Sequence, residues 1–286
     1  MNPEVTTFFH VPTSTATYLV KDPDSNHAVI IDSVLDYYQE SGRTGTKTAD
    51  NIITHIRDNG LTVDWILETH IHADHLSAAP YLQESLGGKI AIGNQVPVVQ
   101  DVFSKIYNLD VDFLTDGSDF SELLGEGQTI QAGGMAITIL NTPGHTPACV
   151  TYLVGDAAFV GDTLFMPDFG TARTDFPGGD ASTLYKSIKR ILSLPDETRV
   201  FIGHDYAPGG RDYAWESTVK EHNQINIHIN NDITEDEFVK MRTDKDATLD
   251  MPVLILPSIQ VNIRAGQLPK PEDNGVAYLK IPMNQF

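Results

Sequence analysis

The sequence has one cysteine, few basic residues and no long apolar run among its 286 residues. Cys149 stands alone, so an intrachain disulfide is excluded and a reducing, cytoplasmic location is expected. No stretch reaches the roughly eighteen consecutive apolar residues that a membrane-spanning helix needs. Residues 1–10 contain no basic stretch followed by an apolar segment, so no signal peptide is expected. We therefore expect no membrane partner.

Positive charge is also scarce, since 39 acidic residues face 19 basic ones and the formal net charge is −20. A negative surface repels phosphate backbones, so we expect no nucleic-acid partner. It also offers an anionic small molecule no long-range attraction, and such a substrate would need a local positive group. The 41% of hydrophobic residues is enough for a large buried core.

The first third of the chain alternates strand and helix signals. Two runs rich in β-branched and aromatic residues, Ala16–Val20 and Ala28–Ile31, flank a cluster of turn formers and predict a hairpin. A helix is predicted near Ala49–Asn59, followed by a short strand at Trp65–Thr69. That strand runs directly into a histidine-rich segment.

A similar order returns in the middle of the chain. The tetrapeptide Thr-Tyr-Leu-Val occurs at Thr17–Val20 and again at Thr151–Val154, where it begins a second predicted hairpin. Each hairpin is followed by an aspartate, Asp32 in the first case and Asp162 in the second. The match suggests two similar αβ halves, and a chance coincidence of strand-forming residues is the alternative.

The remaining elements complete an α/β pattern without a linker. Asp180 begins a helix whose apolar residues fall on one face, and a strand follows at Arg199–Gly203. Beyond Pro208 we predict polar helices near Tyr213–Ile229 and Glu235–Arg242, then an irregular tail. The predicted architecture is two packed mixed sheets flanked by helices, with a C-terminal appendage.

The chemistry is concentrated in a histidine cluster. Three of the ten histidines lie within the six residues His70-Ile71-His72-Ala73-Asp74-His75. His70 and His72 follow a strand two residues apart and can point the same way. Nitrogen and carboxylate ligands at this density suit a divalent transition metal, and four such side chains are costly to bury without one.

Three more ligand-type residues occupy comparable places. His145, Asp162 and His204 each follow a glycine at the end of a predicted strand. We expect these strand ends to complete the metal site.

This succession of residues, from about Ala16 to Tyr206, resembles the metallo-β-lactamase superfamily. The resemblance implies an αββα sandwich with the metal site at the edge where the sheets meet. It also implies a catalytic domain at residues 1–210 and, packed on it, a helical and irregular extension at residues 211–286. In its two-metal form the site uses two ligand groups that share Asp162: His70, His72, His145 and Asp162, then Asp74, His75, Asp162 and His204.

Several branches of the superfamily fit poorly. β-Lactamases proper place a cysteine among the ligands, whereas Cys149 lies four residues past His145 and is better explained as a small apolar residue at a strand start. Flavodiiron proteins carry Glu where this chain has His72, and the nucleases prefer a basic surface. Two glutathione-using branches remain, the glyoxalase II-like thioesterases and the persulfide dioxygenases.

Three segments resemble the persulfide dioxygenases. They are Ala172–Asp180, His204–Tyr206 and the C-terminal stretch Leu256–Gly266. The chain departs from that branch at Ala172, where relatives often have Gly, and in its longer Met166–Phe169 segment. The first hypothesis is a glutathione persulfide dioxygenase of sulfide oxidation, which uses O2 to form sulfite and glutathione.

By this resemblance one Fe(II) per chain is held by His70, His145 and Asp162, a facial triad with open positions. His72, Asp74, His75 and His204 then support the triad or form a second site. Thr146, Arg173 and Tyr206 are expected to contact glutathione.

Several alternatives stay open. Arg173 can instead form an internal ion pair with Asp175. The rival enzyme hypothesis is a binuclear hydrolase of glutathione thioesters, in which two metals activate water. A sulfur carrier or sensor that holds metal without turnover is the third hypothesis. The oligomeric state is open too, with a homodimer among the options.

Overall fold

The computed structural model describes residues 2–285, which contain fifteen strands and seven α-helices. The strands are β1 (Glu4–His10), β2 (Thr15–Lys21), β3 (His27–Ile31), β4 (Val34–Tyr38), β5 (Arg43–Gly45), β6 (Thr62–Leu67), β7 (Leu76–Ser77), β8 (Lys89–Gly93), β9 (Glu122–Leu124), β10 (Thr129–Ala132), β11 (Met135–Asn141), β12 (Val150–Val154), β13 (Ala157–Gly161), β14 (Arg199–Ile202) and β15 (Glu216–Thr218). The helices are α1 (Lys47–Asp58), α2 (Ala79–Leu86), α3 (Val96–Ile106), α4 (Ala181–Ile191), α5 (Val219–Ile225), α6 (Glu235–Asp246) and α7 (Ile255–Asn262).

Two six-stranded sheets form the centre of the molecule. One has the order β1-β2-β3-β6-β8-β9 and the other β10-β11-β12-β13-β14-β15, and each mixes parallel and antiparallel pairs. Buried side chains from both sheets, among them Tyr18, Leu67, Tyr152 and Phe201, pack together between them. The sheets therefore share one apolar interior.

Helices cover both outer faces. Apolar residues of α1, α2, α3 and α7 pack against the first sheet, and those of α4 and α6 pack against the second. In α4 the side chain of Asp180 accepts a hydrogen bond from the backbone N–H of Thr183, which caps the helix as its sequence predicts. The predicted αββα sandwich is confirmed.

The two halves share a strand pattern. β2 pairs antiparallel with β3, which pairs parallel with β6, and β12, β13 and β14 repeat these directions. A register shift interrupts the parallel pair in each half. Asp32 and Asp162 both directly follow the middle strand of their triplet. This agreement favours two similar halves over a coincidence of residue types.

The C-terminal predictions need two corrections. The helix expected near Tyr213–Ile229 covers only Val219–Ile225, because residues 216–218 pair with β14 and Asn226 has extended backbone. The tail is not wholly irregular, since α7 forms there. Ile255 and Ile259 of α7 pack into the core beneath the first sheet, which stabilises a helix that local sequence signals only weakly.

The division of the chain at residue 210 stays a prediction. Within residues 2–285, no helix combines the length and the hydropathy that crossing a bilayer requires.

Candidate metal centre

The ligand-type residues come together at one edge of the sandwich. Strands β6, β11, β13 and β14 end there and lead into the segments that carry His70, His145, Asp162 and His204. Within the second sheet, Gly203 N–H donates a backbone hydrogen bond to the Gly161 carbonyl, and Ala16 N–H of the first sheet donates to the Gly203 carbonyl. The ends of separate strands therefore meet at one edge of the sandwich, as the sequence predicts.

Glycine precedes these ligands because the chain passes too close for a side chain. A Cβ at Gly203 would lie 2.5 Å from Asp162 Oδ1. At Gly161, whose φ is +51°, it would lie 2.3 Å from Thr69 Oγ1. These glycines therefore allow the ligand-bearing segments to touch.

The first ligand group contains His70, His145 and Asp162, all buried. The Nε2 atoms of His70 and His145 lie 3.7 and 3.8 Å from Asp162 Oδ2. Such separations exceed a hydrogen bond, but one ion with bonds of about 2.0–2.2 Å can span them.

The outer nitrogen of each imidazole is occupied. His145 Nδ1 donates to the Arg173 carbonyl at 2.8 Å. His70 Nδ1 lies 3.0 Å from the Thr69 hydroxyl, which itself donates to Asp32 and so accepts from the histidine. Both rings therefore present an unprotonated Nε2 to the gap.

The second group contains His72, Asp74, His75 and His204. Asp74 Oδ2 accepts a hydrogen bond from His75 Nδ1 at 3.0 Å and lies 3.3 Å from His204 Nε2. His204 Nε2 also lies 3.4 Å from Asp162 Oδ1. Asp162 thus directs one oxygen toward each group.

His72 has a distinct environment. Its Nε2 lies 3.1 Å from Asp32 Oδ1 and 3.0 Å from Glu68 Oε2. Burial alone would lower the pKa of His72, but these two carboxylates raise it well above its ordinary value. Its Nδ1 has no hydrogen-bond partner and faces the centre.

Unpartnered polar atoms test whether the centre fits a metal. The buried atoms without a hydrogen-bond partner include one from each of five ligand-type residues: His70 Nε2, His72 Nδ1, His75 Nε2, Asp162 Oδ1 and His204 Nε2. Leaving such an atom unsatisfied costs about 1–3 kcal/mol. Burial, with the nearby imidazoles of His72 and His145, lowers the pKa of His70 and keeps it in the neutral form that binds metal. The residues fit a divalent cation.

A cavity of about 380 Å³ leads to the centre, a size usual for small-molecule sites. Asp74, His145 and Asp162 are among its lining residues. Its walls are mainly aromatic and aliphatic, with three cations, from the following residues: Phe165, Phe169, Phe176, Tyr206, Leu249, Pro252, Val253, Leu254, Arg173, Arg242 and Lys245. A cavity of about 410 Å³ on the Leu109–Asp119 side contains none of the predicted site residues.

The residues predicted to contact glutathione are placed unequally. Arg173 lines the cavity, but Nε and Nη2 donate to both oxygens of Asp175 at 2.6 Å, so the internal ion pair is present. Tyr206 lines the cavity, is 46% exposed and lies against Phe169. Thr146 is buried outside this cavity, with Oγ1 3.1 Å from Cys149 Sγ. Contact with glutathione stays a prediction for all three.

Sequence reasoning missed the residues that hold the ligands. Asp32 was noted only as the counterpart of Asp162, yet it accepts hydrogen bonds from Thr69 N–H and Oγ1–H. Glu68 was visible in the strand next to the histidine cluster. Asn262 had no local signal, because it lies 187 residues beyond His75, whose carbonyl it binds.

The fold and the donors together define a metal-dependent enzyme built on an αββα sandwich. The sequence profile described as "Metallo-beta-lactamase superfamily" matches residues 10–204, which include every predicted metal ligand. The chain belongs to the metallo-β-lactamase superfamily and is an enzyme of that superfamily.

Several relatives cover nearly the whole chain. A probable metallo-hydrolase of Burkholderia pseudomallei is 56% identical over 97% of the chain and 98% of its own length. Glyoxylase B2 of Dictyostelium discoideum is 50% identical over 98% and 97%. The mitochondrial persulfide dioxygenase ETHE1 of Mus musculus is 31% identical over 90% and 87%.

A solved structure agrees with this relationship. The crystal structure of ETHE1 from Myxococcus xanthus aligns with a TM-score of 0.73 at 29% identity. It covers 92% of this chain and 100% of its own. The likeness therefore includes part of the chain beyond the matched superfamily profile.

Proposed function

We propose that this enzyme is a persulfide dioxygenase that holds one Fe(II) on His70, His145 and Asp162 and oxidises glutathione persulfide. The observation that carries the proposal is the relation to the persulfide dioxygenase ETHE1 over 90% of the chain, beyond the matched superfamily region. The added region matters because residues 249–254 line the cavity over the centre. The relation to ETHE1 therefore extends to the part of the chain that forms this wall of the cavity.

The ligand geometry supports a mononuclear centre. In the first group the donors are separated by more than a hydrogen-bond length, whereas Asp74 in the second group already accepts from His75. Three protein ligands leave open positions, and when bound the iron would supply sites for both O2 and the terminal sulfur.

The chain itself would hold and shield the reactants. Thr69 and the Arg173 carbonyl fix the two imidazoles, so that Nε2 of each ring is held toward the gap where the iron would bind. Phe165 and Phe176 beside the centre exclude water from the sulfur. Glutathione persulfide, O2 and water would give glutathione, sulfite and protons, with the electrons lost by the terminal sulfur gained by oxygen.

A binuclear hydrolase of glutathione thioesters is the second candidate. The position of Asp162 favours it, because Oδ1 faces His204 of the second group while Oδ2 faces His70 of the first. One carboxylate could therefore serve two metal sites. The 50% identity to glyoxylase B2 supports it as well. There the two metals would activate water for attack on an acyl carbon.

One iron-loaded preparation can decide between the two. We expect glutathione persulfide to drive O2 uptake and sulfite release, with little hydrolysis of S-lactoylglutathione, and metal analysis to find close to one iron per chain. The Asp162→Ala variant, prepared in parallel, is the control for activity from free iron. Rapid thioester hydrolysis without O2 uptake, and two bound metals per chain, would establish the hydrolase instead.

A further inference from the structure

Three cations line the cavity, and two of them are neutralised within the protein. Arg173 donates to both oxygens of Asp175 and, through Nη1, to the Asp250 carbonyl at 2.6 Å. Arg242 is almost fully buried, and its Nε and Nη2 contact Asp246 Oδ1 at 2.9 and 2.6 Å. The charge of each guanidinium is therefore balanced by a carboxylate of the protein.

Lys245 differs from both arginines. It is exposed at the cavity wall, and no described carboxylate lies within ion-pair distance of its ammonium group. Its Nζ lies 3.0 Å from His228 Nε2 and 5.9 Å from the centre of the Phe169 ring. Within residues 2–285 it is the cation of this cavity that lacks an acidic partner.

The contact with His228 does not supply the missing negative charge. The Thr171 N–H donates to His228 Nδ1 at 3.0 Å, so that nitrogen carries no proton. Burial, with Lys245 and Arg242, lowers the pKa of His228 to about 3, and the ring is neutral. Burial and the charge of Arg242 in turn lower the pKa of Lys245.

We propose that Lys245 determines specificity by binding a carboxylate of the thiol-derived substrate, whose sulfur lies at the metal end. The assignment of the sulfur to the metal end rests on the proposed function. Because the molecule carries a net charge of −20, an anion gains nothing from the surface at large, and this local cation provides the attraction. The adjacent Phe169 and Tyr206 offer an apolar surface for the part between sulfur and carboxylate.

A non-reacting probe separates this proposal from the reaction. S-methylglutathione carries carboxylates, and its diethyl ester has the same skeleton without them. Binding of both to the metal-loaded full chain is measured by calorimetry for the parent, Lys245→Met and Lys245→Arg. Lys240→Met is the matched control, because Lys240 lies on the same helix, pairs with Asp244 and does not line the cavity.

We expect Lys245→Met to bind S-methylglutathione about 10-fold or more weakly, the range for a hydrogen bond to a charged group. Lys245→Arg should retain part of the affinity, and the ester should bind parent and variant alike. Metal content and thermal midpoint should not change.

Three results would overturn the proposal. They are unchanged affinity in Lys245→Met, equal weakening for acid and ester, and no binding of the acid by the parent. Because neither probe reacts, the outcome is independent of whether the enzyme is a dioxygenase or a hydrolase.

Discussion

Three imidazoles at the centre are each oriented by a contact on the nitrogen that faces away from the gap. His145 uses a backbone carbonyl, His70 a threonine hydroxyl and His72 two carboxylates. Such contacts fix the tautomer and the ring plane, and they lower the entropy lost when a metal binds. His72 differs because the nitrogen that it turns to the centre is Nδ1. Its Nε2 lies between the carboxylates of Asp32 and Glu68, which favour a proton on Nε2.

Substitution of single ligands tests the three-ligand assignment. We expect His145→Ala and Asp162→Ala to lose iron, because each removes one of three ligands. His72→Ala should keep some iron with a loss of roughly 10–100-fold in affinity, as for a residue that supports ligands. Iron per chain is measured by elemental analysis, with circular dichroism to check folding. If His72→Ala empties the site as fully as His145→Ala, His72 is a ligand.

At the scale of elements, α7 holds the histidine loop although it lies beyond the matched superfamily region. The amide of Asn262 at its end donates to the carbonyls of His72 and His75, both at 2.8 Å. Its oxygen accepts from Ser77 N–H at 2.9 Å. One buried side chain thereby spans the loop that carries three of the ligand-type residues, and it fixes how that loop leaves β6.

Loss of Asn262 should loosen this loop. We expect Asn262→Ala to lower the thermal midpoint, because each buried group left unpaired costs about 1–3 kcal/mol. Affinity for the metal, measured by competition with a chelator, should fall as well. Asn262→Asp keeps the acceptor but removes both donors and should resemble the alanine variant. Asn274→Ala, at an exposed site, is the control. Unaltered metal affinity in Asn262→Ala would mean that the amide stabilises α7 alone.

At the scale of the whole molecule, burial of neutral histidines makes stability depend on pH. His222 is fully buried on α5, where Asn226 Nδ2 donates to Nδ1 and Nε2 contacts the Ser217 hydroxyl. Burial lowers its pKa from 6.5 to about 4. Below pH 6.5 His222 binds a proton in the unfolded chain but stays neutral in the folded chain. The free energy of unfolding therefore falls as the pH decreases toward about 4.

This linkage predicts a measurable slope. Between its unfolded pKa of 6.5 and its folded pKa of about 4, one such group reduces the free energy of unfolding by about 1.4 kcal/mol for each pH unit of decrease. Urea unfolding of metal-free protein, compared between about pH 7 and pH 5, should show a smaller decrease for His222→Gln than for the parent. Other titrating groups contribute equally to both proteins and cancel in the difference. Equal decreases would show that His222 titrates normally in the folded chain.

Much of the site was readable from local sequence. The spacing of His70, His72, Asp74 and His75, and glycine before His145, Asp162 and His204, predicted the side chains that the structure brings together, because ligand-type residues at strand ends leave a local pattern. The hairpins and α4 were predictable for the same reason, since periodicity and turn formers act over a few residues. The apolar stripe of α7 was too short to predict it.

Only the tertiary structure decided which atoms face one another. It placed Asp32 and Asn262 on the histidine loop across 40 and 190 residues, paired Arg173 with Asp175, and left Lys245 without an acidic partner in the cavity. Tertiary contacts also decided which nitrogen of each imidazole faces the centre. These contacts depend on the packing of segments that are far apart in the chain, and no local sequence pattern encodes the distances between such segments. The residue types that give the contacts their chemistry were already present in the sequence.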